Sequence, residues 1–233
     1  DYLPHMNERA LLAGRWGLRA AIGDPRTAEE ILNTEGRPRL RALLAEVRSR
    51  QLARARVAYG FFEAYAEGED LVIVHDGAPH RLTFPRQQRE PHLALPDYFA
   101  GQGEGDVIGL QVVTVGPAFT EAAAELNAEG RYREYLEMHG LGAQLAEALA
   151  DYWHDRMRSL LGIGGGQRYS FGYPSCPDLT GRRVIAELTG AKRIGVELTE
   201  TDLLVPEQST DAMIVHHPAA IHFSVRPREG MRK

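Results

Sequence analysis

Cysteine is nearly absent from this 233-residue chain. Cys176 stands alone, so no internal disulfide can form, which suits a reducing, cytoplasmic compartment. Lysine is almost as scarce: Lys192 and Lys233 are the two among 27 basic residues, a bias that suits a GC-rich or thermophilic origin and indicates no function. No apolar run approaches the roughly 18 residues of a membrane span, so no membrane partner is expected. The charged opening, Asp1 to Leu18, lacks the apolar stretch of a signal peptide. Missing too are an internal repeat, a low-complexity tract and a linker that would divide the chain. Basic residues are outnumbered by 32 acidic ones, a formal charge of −5, so no nucleic acid is expected to coat the surface. What is present is a globular composition, 43% hydrophobic and 25% charged, on a chain long enough for its own core. A first residue that is Asp rather than Met fits a piece of something larger.

Helical and strand-rich segments are mixed without a regular βαβ rhythm, which predicts one α+β domain rather than a doubly wound fold. Glu8 to Arg19 predicts a short helix around Trp16. Asp24-Pro25 followed by Thr27-Ala-Glu-Glu30 is a helix start, the Thr hydroxyl capping a free amide while Glu30 reaches back. Pro38 to Ala53 carries Leu40, Leu43, Leu44 and Val47 at helical spacing. Val57 to Ala64, Leu71 to Val74 and Arg81 to Phe84 predict an antiparallel meander, turning at Glu67–Asp70 and Asp76-Gly77. Asp106 to Val115 is too apolar for an exposed edge and predicts a central strand. Pro117 to Leu161 reads as helix broken near Asn127–Gly130 and again at Gly140–Gly142. Its last segment has an apolar stripe, Leu145, Leu149, Tyr152, Trp153, Met157 and Leu160, and a second face of Glu147, Asp151, His154 and Arg158. Arg182 to Leu188 predicts a further helix, and Met213–His217 with Ile221–Val225 a strand pair joined through Pro218.

The glycine loop Gly162-Ile-Gly164-Gly165-Gly166 fails as a nucleotide cradle. A Walker loop needs Gly-Lys-Ser/Thr after its spacer, and a dinucleotide fingerprint needs a preceding strand where this loop follows a helix. It reads better as backbone free to approach a ligand. Among nine histidines, adjacent His216 and His217 point to opposite faces of a strand and cannot share an ion, while His216 and His222 could share a face but have no carboxylate or cysteine near them at a useful spacing. Cys176 precedes a helix expected to begin near Pro177-Asp178, mildly favourable for a nucleophile, against the reading of a small buried hydrophobe. The densest constellation is Arg168 to Pro177: an arginine, two tyrosines, two prolines and a glycine in a stiff loop that suits a ligand carrying a carboxylate, or a rigid connector.

Arg168-x-x-x-Gly172-Tyr173-Pro174-x-Cys176-Pro177-Asp178 resembles the signature of the C-terminal activation domain of cobalamin-dependent methionine synthase. Further segments resemble that family in the same order: Asn7-Glu-Arg-Ala-Leu-Leu-Ala-Gly-Arg-Trp16, Gly60-Phe-Phe, Asp106-Val-Ile-Gly-Leu, Leu145-Ala-Glu147-Ala-x-Ala-x-Tyr152-x-His154, Leu198-Thr-Glu-Thr201 and His217-Pro218-x-x-x-His222-Phe223.

The resemblance implies a single C-shaped α+β domain over residues 1–233, a bent, mainly antiparallel sheet with flanking helices. It implies a methyltransferase function: S-adenosylmethionine bound here supplies a methyl group for reductive methylation of inactive cob(II)alamin, reactivating the enzyme of methionine biosynthesis. Cobalamin is then carried by a neighbouring cobalamin-binding domain, a flavodoxin-type donor supplies the electron, and zinc belongs only to the homocysteine domain of the full enzyme. The motif assigns ligand contacts to Arg168, Ser170, Gly172 and Tyr173 on the loop, to Glu147 on the long helix, and to His222 and Phe223 in the closing segment. It also points to Asn7 or Glu8, with Asn7 standing where the family usually has Asp and His222 where it has Tyr. No general base is required, since methyl transfer to cobalt(I) is an in-line displacement. Alternatives are a stand-alone reactivation factor for a corrinoid protein and a non-catalytic module that senses S-adenosylmethionine.

Overall fold

The β-branched and aromatic segments pair as strands, and the 3.6-period segments pack as helices. A computed structural model describes residues 1–225. Its helices are α1 (Ala28–Ile31), α2 (Arg37–Ser49), α3 (Ala118–Ala128), α4 (Tyr132–Leu161) and α5 (Arg182–Thr189), with shorter helical turns between them. Its strands are β1 (Arg56–Glu67), β2 (Asp70–His75), β3 (Ala78–Thr83), β4 (Asp106–Thr114), β5 (Gln167–Tyr169), β6 (Glu197–Leu198), β7 (Leu204–Val205) and β8 (Ser209–Val215). Six of them form a mainly antiparallel sheet in the order β3-β2-β1-β4-β8-β5, and β6 pairs with β7. The α+β expectation holds, as do the meander β1-β2-β3 and the interior place of β4, which is buried almost throughout. No helix among the described residues is long and apolar enough to cross a membrane.

The chain divides into two compact units. The first comprises Asp1–Arg56, Val113–Tyr152 and Val205–Ser209. Its helices enclose Leu11, Leu12, Ile31, Leu40, Phe119, Met138, Leu141 and Leu145. Thr27 caps α1 as its sequence predicts: its hydroxyl accepts the Glu30 amide at 3.2 Å while the Glu30 carboxylate accepts the Thr27 amide at 2.6 Å. The break expected at Gly140–Gly142 does not occur, and α4 runs straight through. Those glycines serve close approach instead. A Cβ on Gly142 would lie 2.6 Å from Gln208 and 2.9 Å from Phe119, and one on Gly140 would crowd Arg15 and Trp16 at 3.3 Å. The Trp16 indole accordingly donates to the Glu137 carbonyl at 3.1 Å.

The second unit comprises Val57–Val112, Trp153–Leu204 and the chain from Thr210 onward. A large apolar cluster of Leu71, Ile73, Phe84, Ile108, Leu110, Tyr169, Phe171, Ile185 and Met213 fills it, and a smaller one gathers Met157 and Ile214 with Phe61 and Trp153. Leu160, expected in the buried stripe of α4, is 57% exposed. The helix ends one residue later, at Leu161.

Candidate functional site

Within the second unit the ligand-loop motif is held by its own backbone. Strand β5 pairs with β8, Tyr169 opposite Met213, and the chain then turns through Ser170–Cys176. The Gly172 amide donates to the Cys176 carbonyl at 2.8 Å, Tyr173 to Ser170 at 3.3 Å and Cys176 to Tyr173 at 3.0 Å. Gly172 sits at φ +87°, a left-handed backbone that favours glycine, and a Cβ there would lie 2.9 Å from the Leu179 side chain.

Residues 217–225 lie against this turn, but not as the strand predicted for Ile221–Val225. Their polar backbone groups are taken by side chains and by the turn. Ser175 Oγ donates to the Phe223 carbonyl at 2.5 Å and accepts the Phe223 amide at 3.4 Å. The Tyr169 hydroxyl donates to the Ile221 carbonyl at 2.6 Å, and the Ile221 amide donates to the Tyr98 hydroxyl at 3.3 Å. Gln87 Nε2 donates to the Ser224 carbonyl at 3.2 Å and the Val225 amide to the Pro174 carbonyl at 3.0 Å. Groups satisfied this way have no need of a ladder, and β5 occupies the place beside β8 instead.

Between the two stretches is a cleft of about 560 Å³ lined by Arg168, Ser170, Tyr173, His222 and Phe223, together with Tyr169, Pro174, Ser175, Cys176 and Ser224. Arg168, half-buried, donates from Nη1 to Ser170 Oγ at 3.4 Å. Tyr173 is 49% exposed at the rim, and His222 meets the Tyr169 ring edge-on at 5.5 Å. Burial, with Tyr98 next to it, pushes the Tyr169 phenol well above the ordinary range, so it stays a donor.

Cys176 is no activated nucleophile. Burial pushes its thiol up to about 12, Sγ–H donates to the Ser170 carbonyl at 2.9 Å, and the helix expected to activate it begins only at Arg182. The reading of the glycine loop is corrected at Gly166. Gly166 has φ +107°, and a Cβ there would sit 2.3 Å from the Val215 carbonyl oxygen, so its close approach is to the chain's own strand. His216 finds a carboxylate that its sequence neighbourhood does not show, Asp106 on β4. Among the described residues no group of three or more His, Cys, Asp or Glu is placed to hold a metal.

The polar face of α4 is half-buried rather than solvated. In the second unit, His154 Nε2 and Arg158 Nε are sequestered with no hydrogen-bond partner among the described residues. Burial, then the Arg158 guanidinium, holds the His154 pKa down at about 4, and Arg168 and His222 push the same way. Asn7, Glu8 and Glu147 belong to the first unit. Asn7 Oδ1 accepts the Ala10 amide at 2.9 Å, capping a helical turn, Glu8 pairs with Arg37 at 3.0 Å, and Glu147 lies half-buried on α4. Sequence reasoning missed Ser175, Tyr169 and Tyr98, which pin the closing segment. The signal for Ser175 was its place in Tyr-Pro-Ser-Cys-Pro, where a rigid turn aims one hydroxyl.

Comparison with known proteins places this arrangement. Residues 26–163 and 164–229 match the family model described as vitamin B12 dependent methionine synthase, activation domain. The chain is similar to the methionine synthase of Mycobacterium tuberculosis, 42% identical over 259 aligned positions that cover 97% of this chain and 22% of that protein. The Mycobacterium leprae methionine synthase is 41% identical with the same coverage, so the chain spans 22% of the length of these curated relatives. Among solved structures it resembles the MetH reactivation domain bound to AdoHcy, with a TM-score of 0.81 and 24% identity over 96% of this chain and 78% of that one, a likeness of fold.

Proposed function

Because the chain belongs to the family of vitamin B12 dependent methionine synthase activation domains, we propose that it binds S-adenosylmethionine in the Arg168–Phe223 cleft and presents the methyl group for reductive methylation of cob(II)alamin, restoring an oxidised methionine synthase. One observation carries the reading: Arg168, Ser170, Tyr173, His222 and Phe223, from two separate stretches of the motif, line one cleft. Its volume lies within the usual range for small-ligand sites, roughly 300–1,000 Å³.

The ligand presents a carboxylate, an ammonium, a sulfonium and an adenine. Arg168 supplies the planar fork that a carboxylate accepts from. The exposed Tyr173 and His222 rings and the loop amides offer stacking and hydrogen bonds to adenine and ribose. The cleft wall also has to leave the electrophilic methyl group alone. Cys176 does so because its thiol stays protonated and its hydrogen is committed to Ser170. Cobalamin, carried by a neighbouring domain of the same enzyme, would supply the cobalt(I) nucleophile after a flavodoxin-type donor delivers an electron; zinc would belong to the homocysteine domain. The motif assigns Asn7, Glu8 and Glu147 to the same ligand, with residues 1–233 acting as one activation domain.

Titration calorimetry with S-adenosylmethionine tests the reading. The wild-type chain is expected to bind, and Arg168→Ala to bind roughly 10- to 150-fold more weakly, the equivalent of about 1.5–3 kcal/mol for a charge-assisted hydrogen bond. Arg168→Lys should recover part of the loss, lacking the fork. Unchanged affinity in Arg168→Ala removes that residue from the site.

A further inference from the structure

Arg182, the first residue of α5, and Asp211, on β8, form an ion pair at 2.9 Å with side chains only 13% and 1% exposed. Neither lines the cleft. Each nitrogen of the guanidinium has its own acceptor: Nε on Asp211 Oδ1 at 2.9 Å, one terminal nitrogen on the Asp202 carbonyl at 3.1 Å and the other on the Phe171 carbonyl at 3.0 Å. The second Asp211 oxygen accepts the Phe171 amide at 3.4 Å. The two members of one ion pair thus grip both polar backbone groups of Phe171. Phe171 stands between Ser170, which lines the cleft, and Gly172, whose left-handed backbone makes the turn. Its ring is fixed as well, stacked on Phe84 at 6.1 Å, and a Cβ on Gly181 would lie 2.2 Å from it.

A pair this buried is a poor source of stability, because desolvation consumes most of the attraction and an apolar pair of similar volume serves as well. Its three-way geometry is what apolar side chains cannot supply. We infer that Arg182 and Asp211 are positioning residues that lock the Ser170–Tyr173 turn in its binding conformation by gripping Phe171 from both sides. The inference rests on the cleft reading above. It assigns to a buried pair, away from the ligand, the task of keeping Ser170 and Tyr173 in register with Arg168.

The test compares wild type, Arg182→Lys and the double variant Arg182→Met/Asp211→Leu, with Arg168→Ala as control. Melting temperature, affinity for S-adenosylmethionine and S-adenosylhomocysteine, and hydrogen exchange at the Phe171 and Gly172 amides are measured. The double variant leaves no buried charge unpaired but strips the Phe171 amide and the Phe171 and Asp202 carbonyls of their partners, so it should stay folded with a lowered melting temperature. Its affinity should nonetheless fall roughly 10- to 100-fold, the scale seen when partners behind a metal ligand are removed. Arg182→Lys keeps the counter-charge but cannot serve three acceptors, so it should lose about 3- to 10-fold in affinity and exchange both amides faster. A folded double variant with wild-type affinity overturns the inference. Should that variant fail to fold, Arg182→Lys with wild-type affinity and wild-type amide protection overturns it equally. If the wild type binds neither ligand, or Arg168→Ala binds as well as wild type, the cleft reading fails. Amide exchange in Arg182→Lys then still decides whether the grip on Phe171 exists.

Discussion

Between pH 7 and 4.5 the chain is expected to lose stability through one imidazole, His154. Burial and then the Arg158 guanidinium lower its pKa from 6.5 to about 4, against a smaller opposing effect of Asp155 and with Arg168 and His222 adding to the lowering. An unfolded chain takes up this proton near 6.5 and the folded chain only near 4. In that window the unfolded state binds more protons, so stability rises with pH and is lost on acidification from 6.5 downward. At full value the shift would amount to about 3 kcal/mol at about 1.36 kcal/mol per unit. The ring is only partly buried, and solvent screening reduces this to about 1–2 kcal/mol. For a chain of this size 1 kcal/mol moves the melting temperature by about 2–4 °C, so a fall of about 2–8 °C is expected from pH 7 to 4.5. Asp97, whose carboxyl is held below 3.8 mainly by its hydrogen bond with Arg86, contributes only at lower pH, and Asp211, pushed up by burial, acts with the opposite sign, so the difference between wild type and a variant lacking the imidazole isolates His154. His154→Leu removes both the titrating ring and its sequestered Nε2, so scanning calorimetry should show a nearly flat melting temperature over the same range. An acid limb of wild-type size in His154→Leu, or none in the wild type, refutes the reasoning.

Ser175→Ala should lower stability by about 1–3 kcal/mol, because both polar backbone groups of Phe223 lose their partner; a melting curve identical to wild type would contradict this. Cys176, pushed from 9.0 to about 12, holds about a thousandfold less thiolate than a free thiol. Iodoacetamide at pH 8 should therefore leave the native chain unlabelled and label it in urea, and native labelling at the free-thiol rate would refute the shift. Glu147→Gln should weaken S-adenosylmethionine and S-adenosylhomocysteine equally, by about 1–3 kcal/mol, if its carboxylate pairs with the ammonium common to both. Full affinity for both ligands with an unchanged melting temperature would make Glu147 ordinary helix surface.

Features encoded by neighbours in sequence were legible. The Thr27 cap needs only four residues, the β1-β2-β3 meander needs only short turns, and the apolar run of β4 declares its burial by itself. The loop from Arg168 to Pro177 was legible as well, through the density of its residue types. What sequence concealed depends on partners far along the chain. Gly140 and Gly142 looked like breakers because the residues crowding them, Trp16, Phe119 and Gln208, are remote. Ile221–Val225 looked like a strand because its real partners are side chains such as Ser175 and Tyr169, 48 and 52 residues from the carbonyls they bond. Asp106 is hidden from His216, and Asp211 from Arg182, for the same reason. No periodicity records such pairs.

In a ladder, the face on which a side chain emerges is fixed by parity, and a slip of one residue turns every side chain over. Ile221 and Phe223 are instead fastened individually, by Tyr98 and Tyr169 on one and by Ser175 on the other. The residue between them, His222, is exposed at the cleft and its own backbone is not among these fastenings. Position 222 is therefore a socket: one aromatic or polar side chain can be exchanged for another at the mouth of the cleft while the frame that presents it stays put.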